Sequence, residues 1–109
     1  MAASLCNGGL PAHATARMRA VFAAHPNVES VILFGSRAKG NAKPASDIDI
    51  ALTGRIDFSE LAKINWELDD LLLPWEIDLL QFDQISNADL REHITRVGQM
   101  FYTRLEAAA

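Results

Sequence analysis

The sequence predicts an α/β (α+β) chain built on a small mixed β-sheet with helices mainly on one side. Half of the 109 residues are hydrophobic, enough for one core but few for two. Three short β-prone runs alternate with stretches whose apolar residues recur at helical spacing. The elements then follow as helix, strand, short helix, strand, helix, strand, helix, an order that suits one sheet layered with helices.

Residues 1–9 are small, polar and glycine-containing and are expected to be loose. Pro11 suits a first helical turn, and Ala14, Met18, Val21 and Phe22 recur on one face up to about Ala24. His25-Pro26-Asn27 ends that helix. Val28 to Phe34, rich in β-branched and aromatic residues, reads as a mostly buried strand that stops at Gly35. Residues 36–40 make a turn and a short helix, and 41–46, with Pro44, a loop.

Residues 47–52 alternate polar and apolar, so Ile48 and Ile50 face the core, and the strand ends before Gly54. Asp57 and Glu60 have the spacing of a helix-capping pair, and Leu61, Ile64, Leu68, Leu71 and Leu72 form an apolar stripe that ends at Pro74. Residues 76–80 read as a third strand. If Ile77 and Leu79 point inward, period two sends Asp78 to the opposite face with Glu76 and Leu80. Ser86 or Asn87 caps a last helix carrying Leu90, Ile94 and Val97, broken near Gly98 and followed by an apolar Met100-Phe101-Tyr102. One domain is expected over 1–104, with 105–109 as a disordered tail or cloning scar.

The formal charge of -4 argues against general nucleic-acid binding, which needs a broad cationic surface. A single cysteine, Cys6, makes neither a disulfide framework nor a thiolate zinc cluster. With no signal-peptide pattern and no apolar run of about 18 residues, no membrane association and a cytoplasmic location are expected.

The chemistry concentrates between Gly35 and Asp49. In a strand, Asp47 and Asp49 project from one face with α-carbons about 6.6 Å apart, a spacing at which carboxylates share hard divalent cations. A bare Asp-x-Asp more often decorates a wet strand. The Gly35-Ser36 turn upstream changes the balance, because glycine lets backbone amides approach a phosphate and the serine adds a hydroxyl donor.

Gly35-Ser36, ten residues, then Asp47-Ile48-Asp49, set within Leu33-Phe34-Gly35-Ser36-Arg37-Ala38-Lys39-Gly40 and Ser46-Asp47-Ile48-Asp49-Ile50-Ala51-Leu52, closely resembles the minimal nucleotidyltransferases of the DNA polymerase beta superfamily. The resemblance runs from about Val28 to Tyr102. It implies a nucleotidyltransferase fold in which Gly35 and Ser36 hold a triphosphate and Asp47 and Asp49 bind two magnesium ions. It also implies a third carboxylate on a neighbouring strand, which helps bind the catalytic metal and activates the attacking hydroxyl. Asp78 is the candidate, with Glu76 as a weaker substitute. Of the bases Arg37, Lys39 and Lys43, Arg37 is favoured as a phosphate contact because it follows the Gly-Ser turn. Gly40 reads as a helix exit and Ser46 as support for the strand entry. His13, His25 and His93 read as surface or capping residues.

Larger enzymes of that superfamily carry an extra domain that grips the acceptor, so about a hundred residues are expected to supply the catalytic module alone. The resemblance is to the MNT half of HEPN/MNT pairs, and it implies AMP transfer from ATP to a tyrosine of a HEPN ribonuclease toxin, which would be both partner and substrate in a hetero-oligomer. Trp66 and Leu73 fall beside the helical core stripe and, with Trp75, would make an apolar partner patch, unless the stripe is simply wide. Met100, Phe101 and Tyr102 raise the same question. Two other functions stay open: a binding module that masks a partner by contact alone, and a nucleotidyltransferase for a small molecule such as an aminoglycoside.

Overall fold

The computed structural model describes residues 5–104, so the expected tail at 105–109 lies outside the described residues. Helix α1 (Ala12–Ala23) follows Pro11 and leads to strand β1 (Val28–Phe34), the short helix α2 (Ser36–Lys39) and strand β2 (Ile48–Gly54). Helix α3 (Phe58–Asp69), strand β3 (Ile77–Gln81), a 3-10 turn (Phe82–Gln84), helix α4 (Ala88–Val97) and strand β4 (Gln99–Thr103) complete it. The strands form one mixed sheet in the order β3-β2-β1-β4, with β1 antiparallel to both neighbours and β3 parallel to β2.

Strand parity divides the core. Val31 and Leu33 of β1, with Ile48, Ile50 and Leu52 of β2, pack against Met18 and Phe22 of α1 and Ile64 and Leu68 of α3. The intervening residues Phe34 and Ala51 turn to the other face, where Ile94 of α4 covers them beside Ile32, Leu80 and Leu90. So α1 and α3 share one face, and α4 covers part of the other.

The caps follow the sequence. Asp57 accepts the Glu60 N–H at 2.7 Å, and Asn87 accepts those of Asp89 and Leu90 at 2.9 and 3.1 Å. That satisfies amides which the first helical turn leaves without partners.

Three expectations need correction. The apolar Met100-Phe101-Tyr102 belongs to a fourth strand, in which Phe101 and Tyr102 are buried and Met100 is 40% exposed. Helix α3 stops at Asp69, and Leu72, with φ +54°, turns the chain and is 87% exposed instead of joining the stripe. Residues 5–9 are tied down: Cys6 N–H donates to the Met100 carbonyl at 2.9 Å, and Arg19 bonds the carbonyls of Cys6 and Phe101.

Candidate active site

The end of β1 and the start of β2 meet where Phe34 pairs with Asp49 across the antiparallel ladder. The parallel register of β2 and β3 then sets Asp49 directly beside Asp78. Two of the expected acids thus share a sheet face, that of Phe34, and stand on adjacent strands. Asp47 lies one residue before β2, in the loop, and is exposed. Asp78 is also exposed, and Asp49 is half-buried. Glu76 falls before β3, where its carbonyl accepts the Ile48 N–H at 2.8 Å; the register partner of Asp49 is Asp78.

Gly35 sits over this pair. Its φ of +74° and ψ of -157° belong to glycine alone, and a Cβ there would fall on the Asp49 carboxylate, 3.2 Å from its Cγ. The close approach of a bare backbone to an acid is what the Gly-Ser turn provides. Ser36 begins α2, which Gly40 ends in a left-handed conformation with its N–H on the Ser36 carbonyl, so Gly40 makes the expected helix exit.

Electrostatics mark Asp49. Its carboxyl is pushed above the usual aspartate range, first by burial, then by a hydrogen bond with Asp78 and by the charges of Asp78 and Asp47. Oxygen donors of this kind suit a hard cation such as magnesium. Among the described residues, no three His, Cys, Asp or Glu side chains converge into a ready-made cage. Such an ion would therefore draw part of its coordination from substrate oxygens or water.

Arg37 does something other than expected. It is 5% exposed, and it donates from Nε to the Ser46 carbonyl at 3.0 Å, from Nη1 to Gly8 at 2.9 Å and from Nη2 to Pro44 at 3.1 Å. A guanidinium engaged by three carbonyls fastens loops. Lys39 and Lys43 are exposed. Ser46 closes the loop as expected, its Oγ accepting the Lys43 N–H at 2.9 Å.

The partner patch is redrawn. Trp66 is 71% exposed, but Leu73 and Trp75 pack against the core, because α3 ends before the helical angle that would have aligned them. Phe58, 85% exposed, joins Trp66 instead, two turns apart on α3. His25, expected as a surface or capping residue, is buried between Glu60 and Glu67. Nothing in its local sequence signalled those partners, which are 35 and 42 residues away.

A segment of 70 residues is 39% identical to the Probable protein adenylyltransferase MntA of Haemophilus influenzae and covers 62% of this chain and 60% of that protein. The chain thus spans less than two thirds of the curated relative's length. Among solved structures, a toxin-antitoxin with AMP-PNP superposes with a TM-score of 0.67 at 20% identity, over 86% of this chain and 81% of the other. The tri-AMPylated Shewanella oneidensis HEPN toxin in complex with MNT antitoxin gives 0.63 at 17%, over 88% and 75%. At such identities the likeness is one of fold. The model of the family described as Polymerase beta, Nucleotidyltransferase matches residues 17–107, a span that holds every acid of the site, and the chain belongs to that family.

Proposed function

We propose that this chain is a magnesium-dependent nucleotidyltransferase antitoxin that moves AMP from ATP to a tyrosine hydroxyl of a HEPN ribonuclease toxin and so silences it. The observation that carries this is the placement of Asp49 between the Gly35 backbone and Asp78. The 39% identity with a protein named as an adenylyltransferase, and the fold shared with an MNT antitoxin in complex with a HEPN toxin, support it.

The chemistry assigns each residue a task. Gly35 and Ser36 seat the triphosphate where the end of β1 meets the start of β2. Asp78 takes the proton of the attacking tyrosine hydroxyl, whose oxygen forms a bond to the α-phosphorus. The bond from that phosphorus to the bridging oxygen breaks, and pyrophosphate leaves. Magnesium held by Asp47, Asp49 and Asp78 would neutralise the charge of the triphosphate and of the leaving pyrophosphate. We place the reaction in the cytoplasm, where ATP is abundant and the Cys6 thiol stays reduced. The exposed Phe58 and Trp66 offer apolar surface to the toxin in a hetero-oligomer.

The test is incubation with α-labelled ATP, magnesium and the HEPN protein encoded beside this chain. The toxin should become labelled and lose ribonuclease activity. Joint Asp47→Asn and Asp49→Asn substitution should cut labelling about 10³-fold, since stabilisation of phosphoryl charge is worth several kcal/mol. Labelling unchanged in that variant would sink the assignment. A second function, neutralisation by contact alone, is favoured by the exposure of Phe58 and Trp66. It predicts that the unlabelled double variant still protects against the toxin. An aminoglycoside offered as acceptor should stay unlabelled.

A further inference from the structure

Arg37 is a buried charge that the proposed chemistry leaves unused, and among the described residues no carboxylate pairs with it. Its surroundings are oxygen dipoles from separate stretches of chain. Ser46, whose carbonyl meets Nε at 3.0 Å, directly precedes Asp47. Pro44, which meets Nη2 at 3.1 Å, also accepts Nε1–H of Trp75 at 2.7 Å. The Trp75 ring lies under the guanidinium, 5.7 Å from its carbon to the ring centroid, and Trp75 stands three residues before Asp78. Arg37 itself follows Gly35-Ser36 in α2.

We propose that Arg37, through Trp75, is a positioning residue that holds the Gly35-Ser36 turn, the loop entering Asp47 and the segment entering Asp78 in one fixed arrangement. For its activity arm this rests on the nucleotidyltransferase function proposed above. The segments that lead into Asp47 and Asp78 bring like charges toward Asp49, so a tie outside the acids themselves is needed to keep them in place. A planar fork of donors reaches carbonyls on separate segments at once and stacks on an indole, whereas a lysine ammonium, with its donors on a single atom, cannot span the same set. The role is therefore one of geometry more than of charge.

The experiment compares the full chain with Arg37→Lys and Trp75→Phe. Amide hydrogen exchange at 45–49 and 76–78 should speed up by at least about tenfold in Arg37→Lys, while Val31 and Leu33 in the centre of β1 keep their protection. In the labelling assay kcat should fall about 10²-fold with KM for ATP within about twofold of the parent, the signature of misplacement without lost binding. Trp75→Phe keeps an apolar ring but loses the N–H to Pro44, and should show the same pattern more weakly, with exchange about threefold faster and kcat about tenfold lower.

Normal exchange and normal kcat in Arg37→Lys would overturn the proposal, because charge alone would then suffice. A raised KM for ATP with unchanged kcat would also overturn it and return Arg37 to the phosphates. If Arg37→Lys does not fold, Trp75→Phe decides, and unchanged exchange at 45–49 refutes the linkage. The exchange measurement needs no nucleotide, so it stands apart from any failure of the adenylyl-transfer function.

Discussion

The two ends of β1 handle charge in opposite ways. Before its first residue, His25 lies with Nδ1 at 3.0 Å from Glu60 and Nε2 at 2.8 Å from Glu67, while Asn27 donates to the other Glu60 oxygen at 3.0 Å. Base, acids and amide satisfy one another. Beyond its last residue, Asp49 stands beside Asp78 in the register and feels the charge of Asp47, and no Lys, Arg or His is paired to these acids among the described residues. The first base after β1, Arg37, is bound to carbonyls instead. One end uses charge to fasten α3 to the sheet. The other holds like charges together at a cost to stability, which makes sense where a ligand brings the opposite charge.

That contrast breaks most sharply at Asp49. Asp49→Asn alone should lower adenylyl transfer by at least about 10²-fold, since one electrostatic contact to the reacting phosphate is lost. Without added magnesium, the same variant should unfold at a higher urea concentration than the parent. The sign follows from the raised carboxyl. The folded protein holds the Asp49 proton more tightly than the unfolded chain does, so stability is fully present below the ordinary aspartate range and falls as pH rises through the raised value. At neutral pH the ionised acid is a burden that asparagine removes. A urea midpoint that drops in Asp49→Asn would mean that this end is matched as well as the other.

The acidic end was legible because its information is local. Gly35-Ser36 and Asp47-Ile48-Asp49 sit on consecutive elements, and period two alone placed Asp78 on the face where the register sets it beside Asp49. Strand β4 was hidden by a register shift between Val31 and Ile32, which skips Phe101 between the partners Tyr102 and Met100 and erases alternation over so short a run. The roles of His25 and Arg37 were invisible for a different reason. Their hydrogen bonds join residues brought together by the fold, and Arg37 reaches back 29 residues to Gly8. A residue's type shows that it carries a charge; only tertiary structure shows what neutralises it.

The satisfied end should yield in stability and not in chemistry. His25→Leu keeps an apolar body in a site that is 7% exposed but removes both ring hydrogen bonds. Glu60 and Glu67 retain side-chain exposures of 20% and 35%, so water can solvate them after the loss. The expected cost is about 2 kcal/mol, the scale of a hydrogen bond to a charged group, read as a lower urea midpoint. Labelling per folded molecule should stay at the parent level. A loss of labelling that exceeds the loss of folded protein would show that the two ends of β1 are coupled.

The finest distinction between the ends lies in pH. The Glu60 carboxyl is held below its ordinary value of 4.5, first by the hydrogen bond from Asn27 and then by that from His25, against the smaller upward push of burial. Its sign is opposite to that of Asp49. The unfolded chain takes up the Glu60 proton more readily than the folded protein does. The contribution is therefore present above 4.5 and lost as pH falls through the depressed folded value. Urea midpoints followed from neutral pH down through the ordinary carboxylate range should decline less steeply in Glu60→Gln than in the parent, while Asp49→Asn should decline more steeply. If both variants changed the slope in the same direction, the two ends of β1 would not differ in the way their contacts require.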